Sequence, residues 1–243
     1  MKRLFFLGLL IPLFIACNND DSVNSRSYSR VATVENPSQS TRFFLNLDDS
    51  TKLWVADSYV NYYRPKNDQR VIANYSIISK KNDTVAHDYD VVLNDVYEIL
   101  TKPVFNITPE TQDSIGNDPI QIRDMWVAND HLTVEFSYPG YSKVHYINLV
   151  FDASKTYTDN KVHLEFRHND NNDYPSYYMT GIASFNLKSV QNPGASSVEL
   201  VIHTKEYNSS SDRSYNFTYK YGTAAVMNQE PALTMPVRKA LAK

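Results

Sequence analysis

His131-Leu132-Thr133-Val134-Glu135-Phe136-Ser137-Tyr138 decides the fold class. Leu132, Val134, Phe136 and Tyr138 share one parity, while His131, Thr133, Glu135 and Ser137 share the other. Successive side chains of a strand point to opposite faces, so the pattern predicts a strand with one buried face and one wet face. Residues 161–167 repeat it, with Val162, Leu164 and Phe166 inward and Lys161, His163, Glu165 and Arg167 outward. Tyr215, Phe217, Tyr219 and Tyr221 alternate with Ser214, Asn216, Thr218 and Lys220. Further strands are expected at 145–152, 182–190 and 198–207, bounded by turn material such as Pro139-Gly140 and Asn192-Pro193-Gly194. Six strands over about 100 residues predict an antiparallel β-sandwich.

The preceding half is also strand-rich, with segments at 30–35, 42–47, 52–56, 69–79 and 90–100. Five strands in about 70 residues suit a small closed barrel of the OB type. From Val71 to Ile78 apolar residues occupy both parities, as a long strand curling across a barrel would require. Residues 91–100 also fit a short helix, since periodicity alone does not separate the two. Residues 101–118 carry Pro103, Pro109 and Gly116 with weak periodicity, which places the domain boundary there. The chain therefore reads as all-β: an OB-like barrel at 30–102, a sandwich at 103–226 and a poorly ordered tail at 227–243 containing Pro231 and Pro236. Each half is expected to fold by itself.

The N-terminus predicts export. Lys2 and Arg3 precede an apolar run over 4–16 that only Gly8 and Pro12 interrupt. A mature membrane span needs about 20 apolar residues, so this run has the length of a signal-peptide core. Phe14-Ile15-Ala16-Cys17 resembles a lipobox, although Phe14 stands where Leu is usual. Residues 1–16 would be removed and Cys17 would carry the lipid that anchors the chain to a membrane. Cys17 is the sole cysteine, which excludes an internal disulfide. Residues 17–29 form a polar tether, and Asp20 and Asp21 resemble the acidic surface-export signal of Bacteroidota lipoproteins. The expected location is the outer membrane, lipid-anchored and facing the cell surface.

Composition narrows the function. Removal of residues 1–16 takes away Lys2 and Arg3, leaving 22 basic against 27 acidic residues, a formal charge of −5. That balance argues against nucleic acid, which wants a basic face. The six glycines are too widely spaced for a phosphate-cradling loop or a dinucleotide fingerprint. Neither His-Glu-x-x-His nor Gly-x-Ser-x-Gly occurs, and the lone cysteine leaves no thiolate cluster. No cofactor is called for.

Candidate binding features are few. Asp170, Asn172 and Asp173 lie in a run of oxygen-bearing side chains that could hold calcium, yet the central glycine and distal glutamate of an EF-hand loop are missing. A polar hairpin turn explains the same residues. His145 and His168 share the apolar parity of their strands and read as core-edge residues. His163 and His203 lie on outward parities of different strands, so a two-histidine metal site would need those strands adjacent. The 18 tyrosines are the compositional excess. The runs containing Tyr59, Tyr62 and Tyr63, and Tyr174, Tyr177 and Tyr178, could be binding platforms, or half-buried sheet residues. Four tripeptides resemble the Asp-Ser/Thr-apolar-or-methyl O-glycosylation motif of exported Bacteroidota proteins, placing candidate sites at Ser22, Ser50, Thr84 and Ser114.

In their order and spacing, several stretches resemble the NigD-like lipoproteins of Bacteroidota. They are Gln69-Arg70-Val71-Ile72-Ala73-Asn74-Tyr75, Ile99-Leu100-Thr101-Lys102-Pro103-Val104, His145-Tyr146-Ile147-Asn148-Leu149-Val150-Phe151-Asp152 and Leu164-Glu165-Phe166-Arg167-His168-Asn169. The resemblance implies an OB-like domain followed by a sandwich, and it carries no catalytic or binding residue. The expectation is a non-enzymatic protein-interaction module of the cell envelope, bacteriocin-related by analogy with the cluster that names the family. A glycan-binding surface lipoprotein is the alternative, and a hydrolytic enzyme is disfavoured.

Overall fold

A computed structural model describes residues 26–82, 84–207 and 212–223. The expected signal peptide, Cys17, Asp20, Asp21, Ser22 and the tail lie outside the described residues. Strands β1 (Ser27–Glu35), β2 (Phe44–Leu47), β3 (Lys52–Ser58), β4 (Arg70–Lys80) and β5 (Tyr89–Glu98) close into a barrel in the order β1-β2-β3-β5-β4. Residues 91–98, left open between helix and strand, are strand because β5 is paired on both sides, parallel to β3 and antiparallel to β4.

The double apolar parity of β4 has a specific cause. Val71, Ala73 and Tyr75 fill the barrel with Leu45, Leu53, Val91 and Leu93, whereas Ile72 faces out and packs with Val31, Ile99, Trp126 and Ala128. Trp126 and Ala128 belong to the sandwich, so the outer apolar parity marks an interface between the two halves.

The sandwich stacks two sheets. One has the order β14-β13-β11-β10-β7 and the other β6-β12-β9-β8. Their strands are β6 (Leu100–Pro103), β7 (Phe105–Ile107), β8 (Gln121–Ala128), β9 (His131–Gly140), β10 (Tyr146–Asp152), β11 (Val162–Asn169), β12 (Tyr177–Asn186), β13 (Ser197–Thr204) and β14 (Arg213–Lys220). Leu132, Val134, Phe136 and Tyr138 do fill the core between the sheets, with Leu164, Phe166 and Phe185. Three ladders are parallel, β7 with β10, β11 with β13 and β6 with β12, so the sandwich is not antiparallel throughout. The stretch read as a linker is built into it: 101–118 supplies most of β6, all of β7 and helix α1 (Gln112–Ile115). Strand β8 escaped the sequence reading because a register shift between Ile122 and Asp124 breaks its alternation.

The two halves are joined by a buried charge. Arg70 is fully buried, and its guanidinium binds the Asp48 carboxylate in two-pronged fashion, Nη1 to Oδ1 at 2.6 Å and Nη2 to Oδ2 at 2.7 Å. Nη1 also donates to Thr33 Oγ1 at 2.9 Å, Nη2 to Thr133 Oγ1 at 3.0 Å and Nε to Ser184 Oγ at 3.5 Å. All five N–H donors thus have acceptors, two from the sandwich and three from the barrel side. Asp48 receives two further bonds across the interface, from Trp126 Nε1 at 2.7 Å and Asn129 Nδ2 at 3.2 Å. Here the expectation for β9 fails: His131, Thr133 and Ser137, read as water-facing, are buried. At Thr133 the barrel covers that face, and the cover is polar.

The barrel alone would expose the Arg70–Asp48 pair and Ile72, and the sandwich alone Thr133, Ser184 and Trp126. Asp48→Ala should leave Arg70 buried without its counter-charge and cost about 3–5 kcal/mol of unfolding free energy. The double variant Asp48→Leu/Arg70→Met should recover most of that loss. Urea unfolding of the three proteins checks both statements, and equal stability of the single and double variants would contradict them.

Candidate functional site at the tyrosine-rich end of the sandwich

Strand β9 ends at Gly140, β10 begins at Tyr146, and residues 170–176 carry the chain from β11 to β12, so three segments meet at one end of the sandwich. A hydrogen-bonded chain runs through their junction. Asp173 Oδ2 lies 3.2 Å from His145 Nε2, His145 Nδ1 lies 2.7 Å from His168 Nε2, and His168 Nδ1 lies 3.1 Å from the Pro119 carbonyl. Both imidazoles are buried.

The protons can be assigned by elimination. A carbonyl only accepts, so His168 Nδ1 carries hydrogen. Burial lowers the His168 pKa, which keeps that ring neutral and leaves Nε2 as an acceptor. His145 Nδ1 must then donate. Burial pushes the Asp173 carboxyl up, but the backbone N–H groups of Tyr141 and Ser142, with the His145 ring, outweigh burial and hold it well below the usual carboxylate range. An ionised carboxylate also only accepts, and Asp173 takes the Tyr141 and Ser142 N–H groups while lying 3.2 Å from His145 Nε2. Gly140 makes room for the pair: a Cβ there would stand 3.0 Å from His145 Nε2 and 3.2 Å from Asp173 Oδ2.

This chain holds a display of tyrosines. Asp173 receives the backbone N–H of Tyr141 at 2.6 Å on Oδ2 and that of Tyr174 at 3.0 Å on Oδ1. Tyr141 stacks on Tyr177 with ring centroids 6.3 Å apart. Beneath them Tyr138, in the core, stacks on His145 at 4.4 Å. Tyr141, Tyr174, Tyr177 and Tyr178 are 58, 72, 64 and 81% exposed, so these are not the half-buried sheet residues that composition favours. In the other run Tyr59 and Tyr62 are exposed, whereas Tyr63 is buried and donates to Gln69 Oε1 at 2.8 Å.

The turn at 169–173 is held by its own hydrogen bonds. Asn171 and Asn172 adopt left-handed φ of 55 and 52°, and Asp170 Oδ1 accepts the Asn172 N–H at 2.8 Å. Lys143 Nζ donates to the carbonyls of Asn171 and Asn172 at 3.1 and 2.8 Å. The Asp173 oxygens are engaged by N–H donors, an ammonium already sits on the turn carbonyls, and the arrangement is a polar turn.

His163 and His203 are adjacent after all, because β11 and β13 pair in parallel while the intervening β12 lies in the other sheet. His163 Nδ1 lies 2.9 Å from His203 Nε2, and the outer nitrogens meet Asp159 Oδ1 at 2.8 Å and Ser214 Oγ at 2.9 Å. All four ring nitrogens are engaged by protein atoms. Among the described residues no group of three or more His, Cys, Asp or Glu is placed to hold a metal ion. Ser214, at one end of this row of hydrogen bonds, is exposed on the edge strand β14.

Of the candidate glycosylation sites, Ser50, Thr84 and Ser114 are exposed. Ser50 lies in the turn between β2 and β3 with φ 78°, and the hydroxyls of Thr84 and Ser114 bond Asn82 Oδ1 and the Thr111 carbonyl.

Comparison with known proteins bears on this architecture. Residues 31–99 match the family model of the NigD-like N-terminal OB domain, and residues 103–219 that of the NigD-like C-terminal beta sandwich domain. A protein of unknown function from Bacteroides vulgatus is similar at 29% identity and a TM-score of 0.70, over 85% of this chain and 97% of its own. A candidate toxin-related protein from Parabacteroides distasonis is also 29% identical, with a TM-score of 0.66 over 80% of this chain and 94% of its own. A NigD-like immunity protein from Bacteroides caccae shares the fold at 17% identity and a TM-score of 0.61, over 81% of this chain and 97% of its own. No curated protein matches the chain.

Two buried histidines give the fold a pH dependence. Burial and then the Arg70 guanidinium lower the His131 pKa from 6.5 to about 4. Its Nδ1 bonds the Asn129 carbonyl, and its Nε2 is buried without a partner. His168 is shifted the same way. Both bind a proton more weakly folded than unfolded, so stability is full above pH 6.5 and falls as pH drops from there toward 4. The urea midpoint should fall steadily over that window, and the His131→Gln variant should show a flatter profile. A midpoint that rises on acidification would contradict the assignment.

Proposed function

Because the chain belongs to the NigD-like family of OB-plus-sandwich proteins, we propose that it is a lipid-anchored, non-enzymatic interaction module of the cell envelope. Its partner is a protein, bound at the tyrosine-rich end of the sandwich. The observation that carries this reading is the rigid mounting of four exposed tyrosines on a buried Asp173–His145–His168 chain. Tyrosine offers a large contact area with a polar tip at low entropic cost, and aromatic anchors dominate binding energy at protein interfaces. Fixing the loops beforehand lowers the ordering cost of association.

The same chemistry disfavours catalysis at this end. The His145 ring and the Asp173 carboxylate are buried against one another, so neither is offered as an acid or base to a bound substrate. Anchoring rests on Cys17, and export to the outer face of the outer membrane on Asp20 and Asp21. The candidate glycosylation sites Ser50, Thr84 and Ser114 lie on turns and loops, where a bulky polar group is tolerated. The name of the Bacteroides caccae relative transfers no partner at 17% identity.

Two measurements test the proposal. Cys17→Ser should leave an unprocessed precursor that takes up no radioactive fatty acid, and unchanged labelling would refute the anchor. In native envelopes, chemical cross-linking should join the wild-type protein to a defined partner. The Tyr174→Ala/Tyr177→Ala/Tyr178→Ala variant should lose that product about tenfold or more, as removal of hot-spot aromatics does, with its melting temperature unchanged. Full retention by a folded variant would move the interface elsewhere.

A further inference from the structure

The barrel carries a cleft of about 650 Å3. Its walls are the loop 36–43 between β1 and β2 and the loop 59–69 between β3 and β4, and the end of β3 lies between them. The volume falls within the roughly 300–1,000 Å3 of small-molecule sites.

The walls are fixed to each other by one side chain. Asn36 is buried, and its Nδ2 donates to the carbonyls of Ser40 and Pro65, both at 3.0 Å. Its Oδ1 accepts the Ser40 N–H at 2.9 Å, and its own N–H donates to Asn67 Oδ1 at 2.8 Å. Both loops are thereby held in one arrangement, and the cleft exists before any ligand arrives.

Its charge runs against that of the whole protein. Arg42, Arg64 and Lys66 line the cleft, while Asp57 is the one acidic residue among its walls. Asp57 Oδ1 is turned onto the Ser58 N–H at 2.8 Å. Nη1 of Arg64 donates to the carbonyls of Asn61 and Tyr63, at 2.9 and 3.1 Å, which fixes the guanidinium in place. The side chains of Arg42 and Lys66 make no hydrogen bond or ion pair among the described residues. A basic spot on a chain that carries −5 after processing attracts anions, and a guanidinium binds a carboxylate with two parallel bonds.

The remaining lining is mostly amides, hydroxyls and prolines, and the loop 59–69 also carries Tyr59 and Tyr62, each 75% exposed. Polar walls provide donors and acceptors for hydroxyl groups, and a tyrosine ring can cover the C–H face of a pyranose. An extended acidic peptide would use the cations equally, and the uncharged and peptide ligands in the titration below separate the two.

We propose that this cleft binds an acidic oligosaccharide, with a sugar carboxylate held by Arg42, Arg64 and Lys66 and a neighbouring ring covered by Tyr59 or Tyr62. The site is separate from the tyrosine-rich end of the sandwich, and either assignment can fail without the other.

Calorimetric titration of the full mature chain with trigalacturonate tests it, with maltotriose as the uncharged trisaccharide and pentaglutamate as the acidic peptide. Trigalacturonate should bind at least about tenfold more tightly than either, the scale set by one charge-assisted contact. Arg42→Ala/Lys66→Ala should lose about tenfold or more, Tyr59→Ala/Tyr62→Ala should also weaken binding, and Arg42→Lys/Lys66→Arg should retain it. The Tyr174→Ala/Tyr177→Ala/Tyr178→Ala variant should bind trigalacturonate like wild type. Absence of trigalacturonate binding, equal binding by the charge-removing variant, or preference for pentaglutamate would each overturn the proposal.

Discussion

Arg70 enters the fold with five N–H groups and a charge, and it is placed where water cannot reach any of them. A guanidinium in that position is tolerable only if every donor meets an acceptor and a carboxylate faces it. The barrel supplies Asp48 and Thr33, and the sandwich supplies Thr133 and Ser184. Hydrogen bonds are directional, so the network favours this docking of the two halves over one that would leave a donor of Arg70 unpaired. Hydrophobic contact around Ile72 and Trp126 gives the interface area, but it is not directional. The polar network provides the register.

The same constraint reaches functional residues indirectly. β9 contributes Thr133 to the network at one point and runs on to Tyr138 and Gly140 at the tyrosine-rich end. β12 contributes Ser184 and begins at Tyr177. The tyrosine display and the interface therefore sit on the same two paired strands, and a distortion at Arg70 would be felt along both. The barrel cleft depends on it less, because the Asn36 bonds that hold its walls lie within the barrel.

Two histidine pairs on one sheet show how environment decides what a residue type does. His145 and His168 are buried and linked in a row between the Asp173 carboxylate and the Pro119 carbonyl. In the other pair Asp159 and Ser214 terminate the chain at the surface. Burial and then the nearby His163 lower the His203 pKa, which keeps that ring neutral. The first pair mounts a loop, and the second ties strand β11 to β13 and β14. Neither leaves a ring nitrogen turned to a substrate.

Periodicity alone determined that the chain is all-β and where most strands lie, because alternation records which face of a strand is apolar. The barrel-then-sandwich order followed from strand density, and the left-handed turn at Asn171-Asn172 from residue type. The hairpin of β10 and β11 could also have shown that His145 and His168 approach each other, since Ile147 stands opposite His168. Other features were written in no local pattern. A polar interface such as Thr33, Asp48, Arg70, Thr133 and Ser184 looks like a wet face, because hydrophobicity reports burial only when the cover is apolar. The bulge at Ile122–Asp124 hid β8, and the parallel pairing of β11 with β13 brought together histidines 40 positions apart. Exposure of Tyr141, Tyr174, Tyr177 and Tyr178 was likewise decided by tertiary structure, because a tyrosine suits a core edge and a binding surface equally well. What settles its role is whether another element packs over it.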